Sequence, residues 1–292
     1  MKGGEATFSF PLSSWAYTQK LIQIRRIIQM GFELSIYAPE ELMGMYWYLS
    51  YICSTHLGHL DRIRTFTVAA RKQDLVTSGG DRSADSKKSA AFHRSFRTLE
   101  RMTTQLVAID AFAIALHALY VLLARHEVLP RAAATEAYST DRLRYELRMK
   151  PFIPISLPEL VPFEEFQKES TLEGDSDTTI LDRATKAITE ARKAWDVLLS
   201  QGAFVEDSTS AARKTSSNAI EEDWKRDVKD AMRACIGASI AIETMRKALS
   251  NNPRPSTRQP LNVEVTLPET GSKARWHEWW VVPQVVEKKS PQ

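Results

Sequence analysis

The part of the sequence that most constrains the fold is residues 102–124, which read MTTQLVAIDAFAIALHALYVLLA. A helix of this length could cross the hydrocarbon core of a membrane. The segment also contains Asp110 and His117, and a carboxylate at the centre of a membrane helix costs about 2.5–3.5 kcal/mol to insert. We therefore favour a buried helix in a soluble assembly over a membrane span.

Helical periodicity continues on both sides of residues 102–124, so we expect a mainly α fold. Apolar residues recur every three or four positions, with charged residues between them. Ser13 or Ser14 is expected to cap the first helix, and Gly31 is expected to end it. Pro39, followed by two acidic residues, is typical of the start of the second. The predicted helices cover about residues 14–30, 39–59, 92–124, 177–200 and 220–250.

Three segments between and after these helices are expected to be irregular or extended. Four prolines spaced three or four apart are incompatible with a regular α-helix and predict an extended strap: Pro151, Pro154, Pro158 and Pro162. Residues 208–217 are predicted to form a polar loop. Alternating apolar residues predict a short β-strand near the C-terminus: Leu261, Val263, Val265 and Leu267. The expected architecture is an irregular, mainly α scaffold forming a single region over residues 1–292.

The composition is that of a globular protein, with 43% hydrophobic and 26% charged residues. A formal net charge of +3 does not by itself indicate a nucleic-acid partner. The two cysteines, Cys53 and Cys235, cannot form a disulfide framework or a four-thiolate metal site. The expected location is therefore a reducing compartment, the cytoplasm.

Basic residues are concentrated in residues 62–101, which contain ten lysines and arginines but only four acidic residues. Gly79 and Gly80 lie within this stretch, so a mobile basic linker is predicted at about 72–91. Its basic side chains could contact RNA backbone phosphates, but a merely solvated loop has the same composition and is the favoured interpretation. The candidate ribosome contacts are Lys72, Arg82, Lys87 and Lys88.

No catalytic, cofactor-binding or metal-ligating residue is assigned from the sequence. The phosphate-binding, nucleophile-elbow and zinc-protease motifs do not occur, nor does the glycine-containing pyrophosphate loop of acetyltransferases. Asp110 and His117 share a helix face and could exchange a proton, but a buried polar pair is the favoured interpretation. The aromatic run at residues 276–280 could stack a ligand, but anchoring of the tail is favoured.

Two blocks of sequence resemble the large auxiliary subunit of the NatC N-terminal acetyltransferase complex. The first is GFELSIY at residues 31–37, followed by Glu41 and by YWYL at residues 46–49. The second is RYELR at residues 144–148, followed by Pro151 and Phe152. The residues that carry the resemblance are expected in the core or at an interface: Phe32, Glu33, Leu34, Tyr37, Glu41, Tyr46, Trp47, Tyr48, Arg144, Tyr145, Glu146, Arg148, Pro151 and Phe152.

The resemblance implies a non-catalytic scaffold rather than an enzyme. In that family the subunit holds a separate GNAT-fold catalytic subunit, which binds acetyl-CoA, and a small Sm-like subunit. The complex acetylates protein N-termini, typically methionine followed by a bulky apolar residue, at the ribosome. The signature begins at residue 31, so the resemblance is to the C-terminal part of the family, and the family's N-terminal region is expected to be absent. The alternative function is a helical RNA- or ribosome-binding module that acts through its basic linker.

Overall fold

The computed structural model describes residues 6–77, 82–130, 141–155, 160–201, 211–251 and 261–288. Within these ranges the fold is mainly α, as predicted. The helices are α1 (Ala6–Glu33), α2 (Leu42–Thr77), α3 (Arg82–Arg125), α4 (Asp141–Met149), α5 (Phe163–Thr171), α6 (Asp177–Gln201) and α7 (Ala211–Ser250). Short 3₁₀ turns cover Pro39–Glu41 and Lys150–Ile155, and the strands are β1 (Val263–Thr266) and β2 (Gln284–Glu287).

Helix α3 lies at the centre of the fold and packs most extensively against α6 and α2. Phe92–Arg125 is, among the described residues, the one helix long and apolar enough to cross a membrane, and 83% of its most apolar window is buried by the chain. Small residues such as Ala108, Ala115 and Ala118 are fully buried, which lets neighbouring backbones approach closely. The burial agrees with the prediction of a buried helix.

The first helix differs from the prediction at both ends. It begins at Ala6, so Ser13 and Ser14 lie inside it, and the Ser14 carbonyl accepts a bond from the Thr18 hydroxyl at 2.9 Å. It also continues through Gly31 to Glu33. A glycine within a helix costs only about 1 kcal/mol, which neighbouring packing can offset. The chain instead turns at Ser35, whose φ is 52°.

The predicted linker and polar loop are also helical over most of their described lengths. α2 extends to Thr77 and α3 begins at Arg82, so most of residues 72–91 belongs to these two helices, and residues 78–81 lie outside the described ranges. Likewise α7 begins at Ala211, within the predicted 208–217 loop. Polar residues such as Lys, Gln and Ser are compatible with helices that continue from a packed segment.

The proline-rich segment is only partly extended. Lys150–Ile155, which contains Pro151 and Pro154, is a 3₁₀ turn, because the fixed φ of proline is also compatible with 3₁₀ geometry. Pro162 does have an extended backbone, with φ −54° and ψ 146°, and it precedes α5. Pro158 lies outside the described residues.

The predicted strand near the C-terminus is confirmed. β1 pairs antiparallel with β2, with Val263 opposite Glu287 and Val265 opposite Val285. Val263 and Val285 are buried and Val265 packs against the core, whereas Glu264 and Val286, which pair on the opposite face, are exposed. This hairpin packs against α7, so the tail returns to the helical body.

Candidate functional site

The first signature block forms a tight reversal between α1 and α2. Tyr37 folds back onto α1, and its hydroxyl donates to the Ile28 carbonyl at 3.2 Å. A Cβ on Gly31 would lie 2.2 Å from the Tyr37 ring, so only glycine admits the ring at this position. The residue predicted to end the helix is therefore required for close packing instead.

Glu41 connects the two signature blocks. Its carboxylate accepts from Arg148 Nε and Nη2 at 2.8 Å each, and from the backbone N–H of Ala38 at 2.7 Å. Arg148 Nη2 also donates to the Ile36 carbonyl at 2.8 Å. The Glu41 side chain is 6% exposed and that of Arg148 23%. This ion pair joins α4 to the start of α2 across more than 100 residues of sequence.

The three aromatic residues at 46–48 are all buried and have different partners. Tyr46 stacks on Phe32 with 4.4 Å between ring centroids. Trp47 packs against Phe166 at 5.3 Å, and Tyr48 packs against Phe152 at 5.5 Å. The block thus holds α1, α5 and the 3₁₀ turn against α2.

The remaining signature residues range from exposed to buried. Leu34 is 61% exposed, and Pro151 is exposed. Glu146 pairs with Arg142 at 3.1 Å on the outside of α4. Glu33 is half-buried. The Arg144 guanidinium lies 3.9 Å from the Glu40 carboxylate. Tyr145 is buried, and its hydroxyl donates to the Val161 carbonyl.

A cavity of about 270 Å³ lies between α2, α4 and α5, beside the Glu41–Arg148 pair. Its lining is mainly apolar and includes Met43, Met149 and Phe166. A Cβ on Gly44 would lie 2.6 Å from Phe166 Cζ, so this glycine allows α5 to approach α2. The described residues contain no group of three His, Cys, Asp or Glu side chains placed to hold a metal ion.

Asp110 and His117 have separate hydrogen-bonding partners; His117 is buried and Asp110 is half-buried. Ser50 Oγ donates to Asp110 at 2.6 Å, whereas His117 Nε2 donates to the Ser170 carbonyl at 2.7 Å. Burial raises the pKa of Asp110, and the bonds from Ser50 and Ser54 partly oppose this shift. Burial lowers the pKa of His117 to about 4, and the bond to Ser170 partly offsets it. Because the two side chains bind different neighbours, the geometry supports a structural role for both and not a proton-transfer pair.

The low pKa of His117 predicts acid sensitivity. The unfolded chain takes up a proton near pH 6.5, whereas folded His117 resists protonation until about pH 4. Its contribution is therefore complete above about pH 6.5 and is lost as the pH falls towards 4, by about 3 kcal/mol. In His117→Gln, whose amide can still donate to Ser170, the dependence of unfolding free energy on pH between 4.5 and 7 should become shallower. Replacing the exposed His93 by Gln should not change it; equal slopes in all three proteins would contradict the prediction.

The aromatic run at residues 276–280 anchors the tail, as favoured. Trp280 is 2% exposed and lies 4.5 Å from Phe112, centroid to centroid. A Cβ on Gly237 would lie 1.9 Å from the Trp276 ring, so this glycine makes room for the indole on α7. His277 Nε2 lies 3.1 Å from the Asp227 carboxylate.

The two cysteines are buried thiols. Burial raises the pKa of Cys53 to about 12, with Arg25 partly opposing the shift, and burial likewise raises the pKa of Cys235. A thiol with a raised pKa is a poor nucleophile, since the thiolate is the reactive form.

Two arginines that the sequence did not single out connect distant segments. Arg275 donates to the carbonyls of Phe32 and Glu278, which fastens the tail to the end of α1. Arg125 donates to the Leu172 and Asp175 carbonyls, which closes the turn between α5 and α6. These four bonds end on backbone carbonyls, which leave no recognisable pattern in sequence.

Of the candidate ribosome contacts, Lys72 lies on α2 and is exposed. Arg82, Lys87 and Lys88 lie in the first turns of α3. Their side chains are outside the described part of the structure. The backbone nevertheless places all four residues near the same end of the α2–α3 hairpin.

A family model described as "NAA35-like, TPR repeats" matches residues 2–267. The N-alpha-acetyltransferase 35, NatC auxiliary subunit, of Saccharomyces cerevisiae is 25% identical over 273 residues, which cover 82% of this chain and 36% of that protein. The Drosophila melanogaster NatC auxiliary subunit homolog is 23% identical over 161 residues, which cover 53% of this chain and 20% of that protein. The chain therefore spans about a third or less of the length of these curated relatives.

Chains in crystal structures of the NatC complex have a similar fold. One, from the complex bound to Gag peptide and CoA, superposes with a TM-score of 0.68 at 18% identity, covering 98% of this chain and 42% of that one. Another, from the apo complex, superposes with a TM-score of 0.63 at 18% identity. This superposition covers 97% of this chain and 42% of the other. At this identity the likeness concerns the fold.

Proposed function

Since the chain belongs to the NAA35-like, TPR repeats family, we propose that it is a non-catalytic auxiliary subunit of a NatC-type N-terminal acetyltransferase complex. The observation that carries the proposal is the family match over residues 2–267. The proposed complex contains a separate GNAT-fold catalytic subunit, which binds acetyl-CoA, and a small Sm-like subunit. Its proposed substrates are protein N-termini with methionine before a bulky apolar residue, and its proposed location is the cytoplasm.

The surface of the chain supports a role in assembly. Trp15, Leu34 and Ile240 are large apolar side chains, and each is 61% exposed. These side chains are available for contact with partner subunits, but singly exposed apolar residues also occur on monomeric proteins, so the family match carries the proposal. The interior supports the non-catalytic part of the proposal. Asp110 and His117 are each bound to a different neighbour, and both cysteines are buried.

The decisive experiment is reconstitution with the proposed catalytic and Sm-like subunits. We expect the three chains to co-purify and to acetylate a Met-Leu peptide, whereas calorimetry of the isolated chain with acetyl-CoA should show no saturable heat. Asp110→Asn keeps an acceptor for Ser50, so it should affect turnover only through stability. Micromolar binding of acetyl-CoA by the isolated chain, or lost turnover in a folded and assembled Asp110→Asn complex, would overturn the proposal.

We also propose that the basic end of the α2–α3 hairpin contacts the ribosome, as electrostatic attraction to RNA phosphates would predict. Changing Lys72, Arg82, Lys87 and Lys88 together to Glu should reduce co-sedimentation with ribosomes. The proposal requires these side chains to be solvated, so it predicts little change in the melting temperature, because exposed substitutions usually alter stability by no more than about 0.5 kcal/mol each.

The matched control for this reversal carries the same change of charge on α6. It replaces four exposed residues by Glu: Arg183, Lys186, Arg192 and Lys193. If both variants lose ribosome binding equally, the effect depends on net charge and not on the hairpin. If neither loses it, the hairpin is only a solvated surface.

A further inference from the structure

A second groove, separate from the cavity beside Glu41, lies where the beginning of α1 meets α2 and α3. Its volume is about 510 Å³. Trp15 of α1 and Phe66 of α2 line it while remaining 61% and 41% exposed. The rest of its apolar lining comes from the two facing helices: Leu60, Ile63, Ala70, Phe92, Leu99 and Met102. Aromatic side chains in such a position are common at the centre of protein interfaces.

The walls of the groove are long enough to bind a helix. Its walls are formed by residues at helical spacing, from Leu60 to Asp74 on α2 and from Phe92 to Met102 on α3. At 1.5 Å per residue the α2 wall is about 21 Å long, equivalent to about four helical turns. An amphipathic helix placed there would bury its apolar stripe against the floor, as helices do in other hydrophobic grooves.

The margins of the groove are basic. Arg62 precedes the lining residue Phe66 by four positions, and Arg94 precedes the lining residue Thr98 by four, so each lies one turn away on the same side of its helix. Both arginines are exposed, and neither forms an ion pair within the described ranges. Arg71 lies in the groove wall itself, together with Asp74. The positive charge of Arg62 and Arg94 would complement a negatively charged partner.

We propose that this groove binds an acidic amphipathic helix of a partner protein, with the apolar face on Phe66 and Trp15 and carboxylates beside Arg62 and Arg94. The recessed floor of aliphatic and aromatic side chains favours a polypeptide over RNA. A nucleic-acid backbone would use the marginal arginines but would leave Leu60, Ile63 and Leu99 without a role. The inference does not depend on the proposed function in NatC.

The test uses a fluorescein-labelled 18-residue peptide of leucine, alanine and glutamate, with leucines at helical spacing, and measures anisotropy with the intact chain. We expect a Kd of roughly 10 μM or lower. Phe66→Ala and the pair Arg62→Glu with Arg94→Glu should each weaken binding at least about 10-fold. The matched controls, Ile240→Ala and the pair Arg183→Glu with Lys186→Glu, should leave it unchanged, because these exposed residues lie on other helices.

Four results would overturn the inference. The first is a Kd weaker than about 1 mM. The second is equal binding of a peptide in which lysine replaces glutamate, and the third is no response to Phe66→Ala in a chain whose melting temperature is unchanged. In the fourth, labelled oligouridylate binds more tightly than the peptide and loses affinity in the Arg62→Glu, Arg94→Glu chain but not in Phe66→Ala. That outcome would assign the arginines to RNA.

Discussion

Replacing Trp280 by alanine should destabilise the chain by about 3–5 kcal/mol, the cost of removing a large aromatic side chain from a packed core. Trp280 is 2% exposed and contacts Phe112 and Tyr46, with ring centroids 4.5 and 6.2 Å away. Truncation would leave a cavity between α2 and α3 that their backbones cannot close. Urea denaturation should show the loss as a lower midpoint.

Trp280 also holds the tail through its neighbour. The N–H of Val281 donates to the Tyr46 hydroxyl at 2.8 Å, and the Tyr120 hydroxyl donates to the Val281 carbonyl at 2.9 Å. Burial raises the pKa of both tyrosines, so both hydroxyls stay protonated at ordinary pH, Tyr46 as the acceptor and Tyr120 as the donor. Because β2 follows Val281 in the tail, loss of the indole should release both from the core. Amide hydrogen exchange along β2 should therefore become faster.

The control for this prediction is Trp15→Ala, which removes an equally large side chain that is 61% exposed. It should alter the free energy of unfolding by no more than about 0.5 kcal/mol. If the two variants have the same stability, or if Trp280→Ala leaves exchange along β2 unchanged, Trp280 is not the anchor of the tail.

Removing the Glu41 carboxylate should have the next largest effect. Glu41→Ala should cost about 3 kcal/mol, because it leaves the Arg148 charge without its counterion and the Ala38 N–H without its acceptor. The expected value lies at the lower end of the range for broken buried pairs, since the Arg148 side chain is 23% exposed and partly hydrated. The same change should detach α4 from the start of α2.

A double-mutant cycle isolates this interaction. Glu41→Ala, Arg148→Ala and the double variant should give a coupling energy above about 1 kcal/mol. The matched control is the Arg142–Glu146 pair on the outside of α4, whose side chains are 61% and 56% exposed and whose coupling should be below about 1 kcal/mol. Equal coupling in the two cycles would show that the Glu41–Arg148 pair contributes no more than a surface ion pair.

The resemblance noticed in the two signature blocks is supported by the family match, but the blocks alone do not show how they act. The sequence placed Glu41 and Arg148 in separate motifs, and only the fold brings their charged groups to 2.8 Å. Leu34 and Glu146 belong to the same motifs yet lie exposed, because a motif records neighbours along the chain and not burial.

What the sequence determined by itself is the class of the fold and its centre. The apolar run at residues 102–124 and the period-two alternation at residues 261–267 correctly predicted a buried helix and a strand, because both follow from local periodicity. The prediction that Asp110 and His117 each have a hydrogen-bonding neighbour is confirmed, although only His117 is fully buried and Asp110 is half-buried.

Only the tertiary structure decided where the helices end and what their glycines do. Gly31 and Gly237 would each be expected to weaken a helix, yet both helices continue because the missing side chains admit Tyr37 and Trp276. The prolines predicted to be extended include two in a 3₁₀ turn, where packing of Phe152 on Tyr48 stabilises the turn. Propensity differences of about 1 kcal/mol per residue are smaller than the packing energy of one buried aromatic ring, and the partners of that ring are distant in sequence.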